Sequence, residues 1–213
     1  MKCVVCNERK GKRDCPAKGA LICARCCGEK RILEIDCSET CEYLKEGRAR
    51  EVSQNYMRRL RPQDPAKALR YQHVFENLEE LISHIEYVIA EERRDSRHLT
   101  DRDVGEVVDL LLETLRTEEK GIIYEHTSNN LRTEPLRRRL REVIQSHRHP
   151  RREDIQRIRL ADAIDCLELI RDLIESHAKA ASSATAYVDL LRRMLPARGR
   201  VAHGGSSLII PGR

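Results

Sequence analysis

The chain has 213 residues, a formal net charge of +5, 35% charged and 40% hydrophobic residues, and 3% aromatics, with no Trp and a single Phe, Phe75. Such a composition is globular but strongly solvated, and it excludes an aromatic-rich core and a broad base-stacking platform. No apolar run reaches the roughly eighteen residues that span a bilayer, and the opening MKCVVCNERKGKRDC lacks the apolar stretch of a secretion signal, so a cytoplasmic protein without a membrane partner is expected.

Eight of the nine cysteines fall within the first 41 residues: Cys3, Cys6, Cys15, Cys23, Cys26, Cys27, Cys37 and Cys41. Disulfide frameworks belong to oxidising compartments, so in a leaderless chain this cluster reads as metal ligands. Cys3-x-x-Cys6 and Cys23-x-x-Cys26 have the knuckle spacing that lets two thiolates on a tight turn share one tetrahedral ion, and two knuckles complete a four-sulfur shell. Cys37 and Cys41 are one helical turn apart and can face a common ion, which leaves Cys15 and Cys27 to join them. The favoured partition is Cys3, Cys6, Cys23 and Cys26 on one ion and Cys15, Cys27, Cys37 and Cys41 on the other, with the adjacent Cys26 and Cys27 able to exchange roles. Two structural Zn²⁺ ions are therefore expected. An iron–sulfur cluster is the alternative, but the ferredoxin run C-x2-C-x2-C-x3-C is absent. No His precedes His73, so the open, His-containing shell of a catalytic zinc is not available in the head.

Downstream of the head, Cys41 to Leu60 reads as a leading helix. Asp64-Pro65 pairs an N-cap with a proline at the first helical position. From there Tyr71, Val74, Leu78, Leu81, Ile85 and Val88 recur in steps of three and four, flanked by Phe75, Ile82 and Ile89, which predicts one long bundle helix that also carries His73, Glu80 and His84. Thr100 with Asp103 opens a further helix through Val104, Val107, Val108, Leu111 and Leu115, ended by Gly121. After the irregular loop 121–132, Thr133-Glu134-Pro135 opens another through Leu136, Leu140, Val143 and Ile144. A final helical stretch runs from about Asp154 to Leu195, weakened at Ala181-Ser182-Ser183, and Cys166 sits in it as a small apolar residue among Ile164, Leu167 and Ile170. The fold class is thus mainly α: a small double-zinc cysteine-rich module over 1–45, an all-α helical bundle over 46–196, and a flexible C-terminal tail over 197–213 whose Leu208, Ile209 and Ile210 form an apolar cluster.

The head, with Cys3-x-x-Cys6, Cys15-Pro16, ICARCCG at 22–28 and Cys37 to Cys41-x-Tyr43-Leu44, resembles the cysteine-rich N-terminus of some uncharacterised bacterial proteins. It is also loosely similar to HIT-type and RING-like cross-brace zinc fingers, which bind two zinc ions through interleaved pairs. The likeness covers about the first 45 residues. It departs from the HIT pattern at Lys18, where the second cysteine of a CPxC pair would stand, and in having no histidine ligand. The resemblance implies an interaction module and does not extend to a ubiquitin-ligase activity.

Two function classes follow. The favoured one is a non-enzymatic zinc-binding adaptor or regulator acting through a protein partner or self-association. The alternative is a nucleic-acid-binding regulator using the basic head or the Arg-rich segment Arg137, Arg138, Arg139, Arg141, Arg148, Arg151 and Arg152. Over residues 1–31 nine Lys/Arg face three acids, a net of +6, but over 1–41 six acids reduce this to +3. Four thiolates around Zn²⁺ leave about −2 per site, so two sites bring roughly −4 and the loaded head is near neutral. The Arg-rich segment is expected to be a solvated helix face, with phosphate binding and pairing with glutamates such as Glu76, Glu79, Glu80 and Glu86, within the bundle or across a dimer, as the two alternatives. Glu80 and His84 are one turn apart without the Glu-x-x-His repeats of a bundle metal site, and are expected on a solvated face. Glu125-His126 specifies no reaction, and no catalytic motif or catalytic residue is identified.

Overall fold

The computed structural model describes residues 1–150, 157–181 and 183–195. They form two compact units, Met1–Glu51 and Val52–Arg213. Among the described residues no helix is long and apolar enough to cross a membrane.

The first unit opens on the antiparallel ribbon β1 (Arg13–Cys15) and β2 (Ala20–Ile22), with Arg13 opposite Ile22 and Cys15 opposite Ala20. Gly19 in the connection has φ +58, a left-handed geometry that costs a residue without a Cβ nothing. The helix α1 (Ala24–Lys30) follows directly. Buried apolar side chains are few here: apart from the cysteines, those described in Met1–Glu51 are Ile22, Ile35 and Leu44.

The helix α2 (Glu42–Gln63) leads into the second unit. The predicted N-cap at Asp64 is in place, its side chain accepting from the Lys67 amide at the start of α3 (Pro65–Asn77). The single long helix expected from the apolar steps through Val88 is in fact two, because the chain breaks at Leu78 (φ −122, ψ 25) before α4 (Glu79–Asp95). Asn77 accounts for the break: its side-chain amide donates to the His73 carbonyl at 3.2 Å and contacts His73 Nδ1 at 3.1 Å, a local competitor to the helical ladder. Glu79 and Glu80 then suit the positive end of the new helix. The apolar steps continue through the break, so Tyr71, Val74, Ile85 and Ile89 remain in one core.

The capping box of Thr100 and Asp103 starts α5 (Asp101–Glu119), and Gly121 (φ +80) follows its end. The helix α6 (Glu134–Arg148) begins at the predicted Thr-Glu-Pro, although Thr133 Oγ1 donates to the Asn130 carbonyl instead of capping the helix. The last helical stretch is likewise divided, into α7 (Leu160–Ala180) and α8 (Ala186–Met194). The expected start at Asp154 lies outside the described residues, but residues 157–159 are not helical and α7 begins only at Leu160, where the Arg159 amide donates to the Asp162 carboxylate at 2.8 Å in a cap. Ser182 at the soft spot, Arg151, Arg152, the 197–213 tail and its Leu208–Ile210 cluster also lie outside the described residues.

In this unit α5 packs on α7, and α4 packs on α6 and α8. Cys166 is fully buried within that core, as its neighbours predict. The second tie is polar. Asp172 on α7 receives the hydroxyls of Tyr56 at 2.5 Å and Tyr71 at 2.7 Å and the ammonium of Lys67 at 2.5 Å. Burial opposes ionisation of Asp172, yet these three donors prevail and hold its carboxyl below the ordinary range.

Four of the five arginines on α6 are paired with carboxylates. Arg137, its side chain only 7% exposed, reaches Glu125 at 2.5 Å and Glu134 at 2.7 Å. Arg139 reaches Glu92 at 3.0 Å, Arg141 reaches Glu125 at 3.2 Å, and Arg148 holds Glu118 through both carboxylate oxygens. For these four arginines the structure shows glutamate pairing in place of a purely solvated face, and the partners are Glu91, Glu92, Glu118, Glu125 and Glu134.

Candidate metal centre

The first knuckle is a tight turn. The Asn7 amide donates to the Cys3 carbonyl at 2.8 Å and the Cys3 amide to the Arg9 carbonyl at 2.8 Å. Asn7 takes φ +58, a region asparagine tolerates better than most residues. Gly11 lets this strand approach the ribbon, since a Cβ there would lie 2.8 Å from Leu21 Cβ. The second knuckle is the start of α1, with Cys23 at the N-cap, its sulfur accepting from the Cys26 amide at 3.4 Å.

These turns bring four sulfurs together. The Sγ atoms of Cys3, Cys6, Cys23 and Cys26 all lie within 4.8 Å of one another, and Cys6 and Cys23 are 4.0 Å apart. A tetrahedral shell with metal–sulfur bonds of about 2.3 Å has sulfur–sulfur edges of about 3.8 Å, so the four residues fit one ion. Cys3, Cys23 and Cys26 are buried and Cys6 is half-buried, which closes the shell.

The protonation chemistry of the set points the same way. Burial opposes ionisation of Cys3, but amides of Cys23, Cys6 and Val5 aimed at its sulfur bring it down to about 6. The Cys26 amide and, more weakly, the Arg9 guanidinium lower Cys23. Cys26 is pushed up to about 12, chiefly by burial and then by its sulfur neighbours. Backbone donors thus favour the thiolate at Cys3 and Cys23, while the burial and sulfur crowding that raise Cys26 are what a cation among the sulfurs would offset.

The other four cysteines are arranged differently. Cys15, Cys27, Cys37 and Cys41 line one small cavity of about 10 Å³, together with Ile22, Arg31, Ile35, Tyr43 and Leu44. Among the described residues only the first four cysteines bring three or more ligand atoms within 4.8 Å of one another. The cavity therefore gathers the second set around one point without closing it into a shell.

Two arginines near these sulfurs carry no signal in a sequence so rich in Lys/Arg. Arg9 Nη1 lies 4.0 Å from Cys23 Sγ at the first set. Arg31 lines the second cavity and donates to the Tyr43 carbonyl at 3.4 Å. Its guanidinium occupies the space above Gly47, where a Cβ would stand 1.4 Å from Nη1, which explains a glycine inside α2. Comparison of the chain with family models, curated proteins and solved structures finds no match, so the class of this site rests on its sulfur geometry.

Proposed function

We propose that the head is a structural double-zinc module that presents a protein-binding surface, and that the chain is a non-enzymatic adaptor or regulator. The observation that carries the metal part is the imbalance in Met1–Glu51, with eight cysteines beside only Ile22, Ile35 and Leu44 as buried apolar side chains. So thin a core supplies little folding energy, and zinc bound by thiolates supplies it instead. In this reading Cys3, Cys6, Cys23 and Cys26 hold one ion. Cys15, Cys27, Cys37 and Cys41 close on a second when it enters their cavity. Four thiolates leave neither ion an open position for substrate, so the role is structural.

The adaptor part is supported by what the head exposes. Ile32 is 58% exposed, Leu33 84% and Val4 56%. Ile32 also stands at φ +65, a costly conformation for a β-branched residue, held by its amide donating to the Ile35 carbonyl at 3.0 Å. Exposed apolar side chains at a strained turn fit a recognition element better than a folding element. Neutralisation of Arg137, Arg139, Arg141 and Arg148 by glutamates weakens the case for phosphate binding by α6. The test is titration of a labelled duplex and a single strand over several salt concentrations, beside elemental analysis of the chain. The adaptor reading expects about two zinc ions per chain and nucleic-acid binding that is weak and vanishes at physiological salt. Sub-micromolar binding that survives physiological salt would reverse the choice in favour of a nucleic-acid regulator.

A further inference from the structure

The bundle brings together two imidazoles that sequence spacing did not reveal. His84 on α4 and His147 on α6 are 63 residues apart, yet His84 Nδ1 and His147 Nε2 face one another at 3.3 Å. The rings meet edge to face, with centroids 5.6 Å apart and planes at 71°. His147 is 94% buried, at 6% exposure, while His84 is exposed, so the pair has a fixed inner member and an accessible outer one. Glu80 lies one turn before His84 on the same side of α4 and is exposed.

A hydrogen bond between imidazoles would explain the approach, but 3.3 Å is long for one. Two nitrogens on a tetrahedral zinc at about 2.05 Å each stand about 3.3 Å apart, which is the spacing observed. Burial of the His147 ring, and partial covering of the His84 ring where it meets its partner, lower both pKa values and favour the neutral form that binds metal. The carboxylate of Glu80 acts electrostatically on both, but its oxygens do not lie within 4.8 Å of both nitrogens, so it would join an ion only by a change of rotamer or through a bridging water.

We propose that His84 and His147, completed by Glu80 and solvent, form a divalent transition-metal site that clamps α4 to α6. Imidazole nitrogen with one carboxylate oxygen suits zinc, nickel or copper and disfavours calcium or magnesium. Unlike the all-sulfur shell in the head, this site keeps positions for water and exchanges its ion readily. It is independent of the reading of the head.

The experiment uses the full chain, zinc-loaded and desalted, titrated with Ni²⁺ by calorimetry and with Co²⁺ by absorption. Sulfur-to-cobalt charge-transfer bands in the near ultraviolet report any exchange in the head, whereas an imidazole and carboxylate site lacks them. The expected result is one further equivalent of metal bound without those bands, accompanied by a rise in the melting temperature of the helical signal. In His84→Ala, an exposed change that leaves the core intact, that equivalent disappears. In Glu80→Gln it weakens at least tenfold. His147→Gln reports on the inner ligand, with retained helicity as the check that it folds. Equal uptake by the wild type and His84→Ala, or no further equivalent in the wild type, would overturn the proposal and leave the pair as a hydrogen-bonded contact.

Discussion

Acid should weaken the bundle, and His177 makes a separable contribution to that loss. On α7 this imidazole is only 4% exposed, packs 5.6 Å from the Tyr187 ring and meets Ser53 Oγ at 3.3 Å through Nε2. Burial moves its pKa down from 6.5 to about 4. The folded chain therefore holds the neutral ring where the unfolded chain is protonated. The stability this contributes is complete above pH 6.5 and is lost as pH falls toward 4. At pH 5 the unfolded imidazole is almost fully charged and the folded one hardly at all, so linkage gives a loss of about 2 kcal/mol relative to pH 7.5, rising to about 3 kcal/mol at pH 4. Urea unfolding followed by far-UV circular dichroism at pH 7.5 and 5.0, on the wild type and on His177→Gln, isolates this contribution. Other groups titrate in both proteins and cancel in the difference. The wild type should lose about 2 kcal/mol more than the variant between the two pH values. Parallel losses would mean that the ring is accessible to protons in the folded state, and the account of its burial would fail.

Three further outcomes are expected. Cys26→Ser and Cys41→Ser should each release one zinc ion by elemental analysis, whereas Cys166→Ser, at a fully buried position in the bundle core, should release none. Asp101 is buried and accepts from the amides of Tyr187 and Val188 at 3.0 Å each, capping α8 from another helix. Asp101→Ala should cost about 2–4 kcal/mol in urea unfolding by leaving two amides without a partner, and Asp101→Asn, which keeps one acceptor, should cost less. Gly11→Ala should drive a methyl group into Leu21 and speed zinc loss to a chelator, with bundle helicity unchanged.

Much of this architecture follows from short-range pattern. Two-residue gaps between cysteines can be read as knuckles because the atoms that share an ion come from one turn, and Asp64-Pro65 and Thr100-Asp103 announce helix starts because a cap bonds within three residues. The pairing of Cys3 and Cys6 with Cys23 and Cys26 needed one further step, the β1–β2 ribbon that carries the second knuckle back to the first. The break at Leu78 is invisible to hydrophobic periodicity because the apolar steps continue through it, while the competing bond from Asn77 is polar and local. Contacts made across the bundle were beyond any pattern of this kind. Asp101 looked like the first residue of its own helix, and it is also the cap of α8, 86 residues away. Spacing along α6 does not say which carboxylates meet its arginines, and folding sets Glu91, Glu92, Glu118, Glu125 and Glu134 against four of them. His147 had no motif to mark it, because its counterpart His84 stands on a different helix. Local signals fix where helices begin and which stripe is buried; the packing of those stripes then decides which polar side chains meet, since that depends on helix order and rotation and not on spacing along the chain.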